Sequence, residues 1–293
     1  SALRGVHTLD LTECSLVTDV SALCGAHALD LSKCTGVTDV SSLGSVQCLY
    51  LSECFGITDV SALGRVHTLN LAFCSGITDF SALGNVNTLF LTSCGVAVDV
   101  SALSGVHNLD LTDCPVINVS NLGRVHTLSL CMCYDVTDVS ALGNVYELDL
   151  SQTSITDVSA LGGVHKLNLS WCSNVVDVSA LGHIHDLNLS YCTGVTDVSA
   201  LGGVYKLNLS ECVGVHDVRA LGGVYSLNLS WCESVVGVHT LGRVHILNLS
   251  RCIGIRNVSY LGNVYKLDLS HSKVVDVSAL GGVHNLNLSW CSN

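Results

Sequence analysis

Residues 159–178 read SALGGVHKLNLSWCSNVVDV, and this stretch decides the fold because the rest of the chain repeats it. Copies begin at residues 1, 21, 41, 61, 81, 101, 120, 140, 159, 179, 199, 219, 239, 259 and 278, so the period is twenty residues except in three copies that lack one residue. A short period sustained over about fifteen copies is typical of a stacked solenoid. We therefore expect residues 1–293 to form a single solenoid domain of 19–20-residue repeats without distinct caps.

Two periodicities inside the repeat predict its secondary structure. Leucine occupies the third, ninth and eleventh positions of every copy, as Leu3, Leu9 and Leu11 do in the first. Residues 6–12 alternate apolar and polar, which predicts a short strand with one buried face. Because the chain makes one coil per copy, strands one repeat apart should be parallel and in register. The return path is too short for much helix, so we expect turns and a 3₁₀ segment near residues 19–23, capped by an Asp or Ser side chain.

The run VHKLNLSWC at residues 164–172 resembles the leucine-rich repeat signature L-x-x-L-x-L-x-x-N/C, with Cys in its last place. The return segment ITDVSAL at residues 155–161 also looks like the I-x-D-I-x-x-L half of internalin-type repeats, and the Cys-bearing version resembles repeats of protist surface proteins. The resemblance implies a leucine-rich repeat rod or horseshoe that is mostly β with little helix. One parallel β-sheet would form one face, and turns and 3₁₀ segments the other. It also implies a binding protein.

Composition narrows the range of partners. The chain carries 24 acidic and 12 basic residues, a formal charge of −12, and its basic residues are scattered singly. Such a surface repels a nucleic-acid backbone, so no nucleic-acid partner is expected. No stretch reaches the roughly eighteen unbroken apolar residues that a membrane helix needs, so no membrane insertion is expected.

Stacked coils turn each repeated residue into a column, and most columns favour a structural interpretation. Cysteines at the fourteenth position should be buried thiols that hydrogen-bond to the backbone, because parallel stacking points their side chains the same way. Thr153 and Ser272 replace two of them. Cys131-Met132-Cys133 is only a weak metal signal. The Asp column favours capping over calcium binding, since no Gly-rich nonapeptide is present. We expect no metal and no cofactor.

The seventh position alternates between His and Tyr, as in His165, His185 and Tyr205. Free exchange between these residues suits a flat polar-aromatic edge and does not suit proton transfer or metal ligation. No Ser-His-Asp set or pair of carboxylates stands apart from the repeats. The chain is therefore expected not to be an enzyme.

The tenth position is usually Asn or Asp, which predicts a ladder of stacked amides on the exposed strand face. Many of these asparagines, with two others in the return path, also precede x-Ser and form acceptor sequons for N-glycosylation. The candidate acceptors are Asn118, Asn168, Asn188, Asn208, Asn228, Asn248, Asn257 and Asn287.

Specificity in a repeat protein should lie where exposed positions break the pattern, because the consensus already satisfies folding. Aromatic residues break it on the strand face of the third to fifth copies and at the thirteenth position of later copies. Exposed aromatic side chains are common anchors of interfaces, although they also cover the seam between coils. The candidate partner-binding residues are Tyr50, Asn70, Phe73, Phe90, Trp171, Tyr191 and Trp231.

Two functions compete at this point. The leading hypothesis is a non-enzymatic scaffold that recognises a protein or glycan ligand through its strand face. The alternative is a structural subunit of a surface fibre or filament, in which further copies of the chain assemble end to end through uncapped solenoid ends. Unpaired thiols favour an intracellular location. The sequons, the few charges and the resemblance to surface proteins favour an extracellular or cell-surface location.

Overall fold

The computed structural model describes residues 5–95 and 99–291, and its contacts divide the chain into two compact units. The first unit is Ser1–Asp149 and the second is Leu150–Asn293. In each unit every coil contributes one short strand to a parallel sheet, and most coils contribute one 3₁₀ helix on the return path.

The strands of the first unit pair in parallel and in sequence order, and each central leucine lies opposite the leucine of the next coil. Its strands are β1 (Thr8–Asp10), β2 (Ala28–Asp30), β3 (Cys48–Tyr50), β4 (Thr68–Asn70), β5 (Thr88–Phe90), β6 (Asn108–Asp110), β7 (Thr127–Ser129) and β8 (Glu147–Asp149). Its 3₁₀ helices are η1 (Ser21–Leu23), η2 (Ser41–Leu43), η3 (Ser61–Leu63), η4 (Ser81–Leu83), η5 (Ser101–Gly105) and η6 (Ser140–Leu142).

The second unit repeats the same parallel, in-register order. Its strands are β9 (Lys166–Asn168), β10 (Asp186–Asn188), β11 (Lys206–Asn208), β12 (Ser226–Asn228), β13 (Ile246–Asn248), β14 (Lys266–Asp268) and β15 (Asn285–Asn287). Its 3₁₀ helices are η7 (Ser159–Gly163), η8 (Ser179–Leu181), η9 (Ser199–Gly203), η10 (Arg219–Gly223), η11 (Val238–Arg243) and η12 (Ser278–Gly282).

The strands are parallel and in register as predicted, but they are shorter than the predicted seven residues. The first strand covers Thr8–Asp10, and its neighbours on either side still donate to the next coil or accept from it. The strand stops because Glu13 takes a left-handed backbone conformation, with φ of 64°, which turns the chain away from the sheet. The amide of Cys14 then turns back to the carbonyl of Leu11 at 3.0 Å.

The core of each coil is a small set of apolar side chains that lies between the strand and the return path. In the second coil Leu29, Leu31 and Val37 are fully buried, and their equivalents are buried in most other coils. Full burial of a Leu or Val side chain contributes roughly 1.5–3 kcal/mol, so the repeated leucines and valines supply most of the driving force for folding.

Most cysteines of the column donate a thiol hydrogen bond to a carbonyl of the preceding coil. The Sγ of Cys54 donates to the carbonyl of Leu31 at 3.1 Å, and that of Cys192 donates to the carbonyl of Leu169 at 2.9 Å. Burial raises the pKa of both thiols to about 12. Thr153, which replaces a cysteine, instead donates within its own coil, from Oγ1 to the carbonyl of Leu150 at 2.7 Å. Within residues 5–95 and 99–291 the cysteines are thiols rather than disulfides, and most are buried, as predicted.

This burial predicts which thiols react with a disulfide reagent such as DTNB, because the thiolate is the reactive species and needs access to the reagent. Of the 16 cysteines, eleven are buried in the fold and should react only when it opens. Cys14 and Cys24 are exposed and should react first, followed by Cys48, Cys131 and Cys291, which are half-buried. Titration of the same protein in denaturant should give 16 thiols. Fast reaction of more than five thiols in the folded protein would contradict this arrangement.

The aspartate column caps the 3₁₀ helices, as predicted. Asp59 Oδ1 accepts the amide of Ser61 at 2.8 Å, and the same contact recurs at most coils. The side-chain and backbone hydrogen bonds of Ser61 lower the pKa of the Asp59 carboxyl below its ordinary value of 3.8. Asn257 takes the same place with a neutral side chain, accepting the amide of Ser259 at 3.0 Å.

The lowered pKa values predict a loss of stability in acid. A carboxyl group whose pKa is depressed by folding contributes stability above its unfolded-state pKa, near 3.8, and loses that contribution as the pH falls through its folded-state value. The urea midpoint should therefore be nearly constant from neutral pH to about pH 4.5 and fall below about pH 4. Asp59→Asn with Asp79→Asn should weaken the acid dependence while keeping the caps, as Asn257 does. A variant with the wild-type acid profile would show that these carboxylates do not carry the effect.

Candidate recognition surface

The predicted patch of the first unit is built on three neighbouring strands. Tyr50 lies opposite Asn70, and Asn70 lies opposite Phe90, so the three side chains occupy one row across β3, β4 and β5. Adjacent strands are about 4.8 Å apart, which places the two rings about 10 Å apart with the asparagine between them. All three side chains are half-buried, and the structure thus brings together the residues that the sequence predicted.

Asn70 is held in position by the turn that follows its strand. Its Oδ1 accepts the amide of Ala72 at 2.9 Å, and Ala72 is itself buried. Cys48 lies two residues before Tyr50 on the same face of β3 and is also half-buried. The row therefore has a fixed polar centre and apolar flanks.

Phe73 belongs to a second row, at the thirteenth position of each coil, which we call the exit ridge. Every residue of the ridge has positive φ, between 53° and 66°, and none is glycine. Its members are Glu13, Lys33, Glu53, Phe73, Ser93, Asp113, Met132, Gln152, Trp171, Tyr191, Glu211, Trp231, Arg251, His271 and Trp290.

This backbone conformation costs a non-glycine residue roughly 1 kcal/mol or more. The sheet imposes it, because the amide of Phe73 must still reach the carbonyl of Thr92 at 2.8 Å while Cys74 turns back to Leu71. Glycine would relieve the cost and is not used. The ridge therefore presents varied side chains on an unvarying backbone, and Phe73 and Trp171 are exposed over 46% and 55% of their surface.

In the second unit the ridge aromatics contact their neighbours along the column. The rings of Trp171 and Tyr191 stack with centroids 3.9 Å apart and an interplanar angle of 7°. The guanidinium of Arg251 lies 4.2 Å from the centroid of the Trp231 ring. These contacts give each ring a structural partner, and they leave ring edges exposed for a ligand. A role for this set in partner binding stays a prediction.

The candidate glycosylation sites differ in the freedom of their amides. Asn168 Oδ1 accepts hydrogen bonds from the amide of Ser170 at 3.1 Å and from Nδ2 of Asn188 at 2.9 Å, so at Asn188 the ladder contact uses the nitrogen that a glycan would need. Asn118 and Asn257 lie on the return path and are exposed. Among the eight sequons these two are the most accessible, and glycosylation of any of them stays a prediction.

The His and Tyr column forms stacks of rings beside the start of most strands, interrupted in the first unit by Gln47 and Asn87. His185 and Tyr205 are 4.7 Å apart, and Tyr205 and Tyr225 are 4.6 Å apart with nearly parallel planes. Within residues 5–95 and 99–291, no group of three or more His, Cys, Asp or Glu side chains is placed to hold a metal ion. In the same ranges no helix has the length and apolar character required to span a bilayer.

Sequence reasoning missed a groove on the return path of the second unit. The groove encloses about 630 Å³ between residues 196–199 and 214–220, where comparable grooves such as that lined by Asp39 and Asp59 enclose about 240 Å³. Arg219 forms its wall by pairing with Asp217, and its side chain crosses Gly237, which has φ of 85°. Two departures from the repeat consensus could have indicated this groove: Arg at position 219 in place of Ser, and Gly at position 237 in place of Asp.

The crossing predicts that Gly237 is required for local packing. A β-carbon at this position would lie 2.6 Å from Cγ of Arg219 in a backbone conformation that side chains rarely adopt. Gly237→Ala should lower the free energy of unfolding of the second unit by about 1–3 kcal/mol. All three tryptophans lie in this unit, so their fluorescence reports its unfolding in urea. Gly281→Ala is the matched control, since nothing lies within 4 Å of its added β-carbon. Equal effects of the two changes would contradict the packing role.

Comparisons with known proteins identify the fold. No protein-family model and no curated protein matches the sequence. An internalin of Listeria monocytogenes, inlF, aligns with a TM-score of 0.64 and 21% identity over 97% of this chain and 87% of its own. The functional domain of InlJ from the same organism, described as including a cysteine ladder, aligns at 0.50 and 18% identity over 94% and 70%. A leucine-rich repeat protein of Leptospira interrogans aligns at 0.57 and 17% identity over 93% and 92%.

These similarities, together with the parallel strands and 3₁₀ turns of both units, show the leucine-rich repeat fold. The resemblance inferred from the repeat signature and the predicted fold class are thus confirmed. At these levels of identity the comparisons establish the architecture, and they do not assign a ligand to this chain.

Proposed function

We propose that this chain is a non-enzymatic recognition scaffold that binds a protein or glycan ligand through its strand face. The observation that carries the proposal is the row of Tyr50, Asn70 and Phe90, which places two half-buried rings in a column where most coils carry Asn or Asp. The leucine-rich repeat fold supports it, because such solenoids present extended binding surfaces.

The rings are not needed for folding. Asn or Asp fills the tenth position in most coils, and there its side chain accepts the amide two residues ahead, as Asn70 does with Ala72. Tyr50 and Phe90 cannot accept that hydrogen bond, so their coils give up a favourable contact. Exposed aromatic side chains on a rigid surface are typical anchors of interfaces. Because the two rings cost their coils a hydrogen bond, a role in binding explains their presence better than a role in folding.

The chemistry of the surface supports binding without catalysis. The titratable side chains recur in columns, and an active site requires one special arrangement of groups. The formal charge of −12 opposes binding to nucleic acid. The second-unit aromatics Trp171, Tyr191 and Trp231 would add a separate set of contacts to a ligand.

We infer an extracellular or cell-surface location for this scaffold, with an intracellular location as the alternative. Free thiols usually indicate a reducing compartment. Here most thiols are buried and donate to carbonyl groups, and burial raises the pKa of thiols such as Cys54 and Cys192 to about 12. Thiols in that state resist oxidation. The cysteine content therefore does not require a reducing compartment.

The proposal is tested by replacing Tyr50 and Phe90 with Ser and screening the protein against a glycan array and a displayed peptide library. Loss of the two anchors should weaken binding of the selected ligands at least tenfold, or about 1.4 kcal/mol. The matched control replaces Phe55 and Tyr134 with Ser, since both are exposed aromatics of the same unit that lie off the strands.

Circular dichroism in urea should show that both variants retain the fold. Equal binding by the patch and control variants would reject the strand-face proposal. Light scattering over a wide concentration range addresses the filament alternative, since stepwise growth of particles would favour assembly of the chain with itself.

A further inference from the structure

Charge is distributed unevenly between the two units. The first 149 residues contain 15 acidic and 4 basic residues, while residues 150–293 contain 9 and 8. The excess negative charge of the chain therefore belongs almost entirely to the unit that carries the aromatic row. A binding surface in this unit acts in a field that attracts cationic groups.

The acidic groups include the two immediate neighbours of the aromatic row. Asp30 lies opposite Tyr50 on one side, and Asp110 lies opposite Phe90 on the other. The tenth position of five successive strands thus presents a carboxylate, a ring, an amide, a ring and a carboxylate. All five side chains are half-buried.

The two carboxylates are fixed in position by hydrogen bonds. Asp30 Oδ1 accepts the amide of Ser32 at 2.8 Å. Asp110 accepts the amide of Thr112 at 2.8 Å through Oδ1 and the hydroxyl of Thr92 at 3.1 Å through Oδ2. Within residues 5–95 and 99–149, neither makes an ion pair with Lys, Arg or His.

The adjoining part of the exit ridge also combines an aromatic side chain with carboxylates. Phe73 follows Glu53, and Asp113 accepts the hydroxyl of Ser93 at 2.8 Å. The one lysine of this part of the ridge, Lys33, already pairs with Glu13 at 3.0 Å. The aromatic side chains are therefore bordered by carboxylates on the strand face and on the ridge.

On the basis of the proposed function, we propose that this patch binds an extended basic protein segment, in which an apolar side chain lies between two Lys or Arg residues. The apolar side chain would contact Tyr50 and Phe90, and the two cations would pair with Asp30 and Asp110. Four strand spacings separate the carboxylates by about 19 Å, and an extended chain covers that distance in about six residues. The segment would run across the strands.

The surface chemistry selects this partner over a glycan. A neutral glycan could donate hydroxyl hydrogen bonds to the two carboxylates but brings no positive charge to pair with them, and an anionic glycan is repelled by them. Cationic side chains gain twice, because they pair with carboxylates and also lie favourably over the faces of Tyr and Phe rings. The partner class thereby narrows from a protein or glycan to a basic protein segment.

A displayed library of random dodecapeptides tests the proposal on the full chain. Peptides are selected on the wild-type protein after removal of those that bind the Tyr50→Ser, Phe90→Ser variant. The enriched peptides should be basic, with an apolar residue between Lys or Arg residues about six positions apart. Enriched peptides that are neutral or acidic, or enriched glycans from the array with no basic peptides, would overturn this inference and leave the proposed function standing. If nothing is enriched at the patch, both fail.

Fluorescence polarisation of an enriched peptide then measures the role of the charges. Asp30→Asn with Asp110→Asn keeps both amide hydrogen bonds and should weaken binding about tenfold, with a smaller dependence on salt. Asp59→Asn with Asp79→Asn removes the same charge from the return path of the same unit and should change affinity less than twofold. If the two double variants weakened binding equally, the overall negative charge of the unit would account for the effect. Specific pairing of the peptide with Asp30 and Asp110 would then be rejected.

Discussion

The in-register stacking of parallel strands is the constraint on which the rest of the structure depends. Each leucine of a strand lies opposite the leucine of the next coil, and strands lie about 4.8 Å apart. Every other position then lies beside its own equivalent in the next coil, so a residue type can fill a whole column only if its side chain can lie beside a copy of itself. Apolar side chains meet this condition by packing, and rings meet it by stacking, as Tyr205 and Tyr225 do. Polar groups need a hydrogen bond that leaves the column intact.

Two columns show how that condition selects residue types. A thiol at the fourteenth position reaches the carbonyl of the preceding coil, as Cys54 reaches Leu31, and is small enough to repeat without a gap. A carboxylate at the nineteenth position accepts an amide of its own coil, as Asp59 does from Ser61. The acids repel one another along the column, and the hydrogen bonds offset that repulsion. Where Asn257 replaces Asp, the hydrogen bond remains and the charge is lost, which separates the two contributions.

Whatever repeats in this chain could be predicted from its sequence, and what depends on a single neighbour could not. The leucine spacing predicted parallel strands. The replacement of a cysteine by Thr153 argued against disulfides in the column. The row of Tyr50, Asn70 and Phe90 followed from the strand register alone. The predicted strand length was wrong because the left-handed turn that ends each strand is not marked by glycine. Residues as large as Trp171 occupy that turn. The groove at Arg219 depends on where one long side chain lies over Gly237, and spacing does not contain that information.

Under the proposed function, the same lattice explains why recognition should depend on departures from the consensus. A uniform column gives a ligand no reason to prefer one coil, so position along the solenoid must be specified by the order of unlike residues. The row from Asp30 to Asp110 supplies such an order, because its rings are flanked on both sides by carboxylates that the fold holds by hydrogen bonds to backbone amides. Holding the groups in advance lowers the entropy lost on binding. The rigidity that repetition imposes on folding would therefore serve as preorganisation at this row, where aromatic side chains interrupt the column of Asn and Asp.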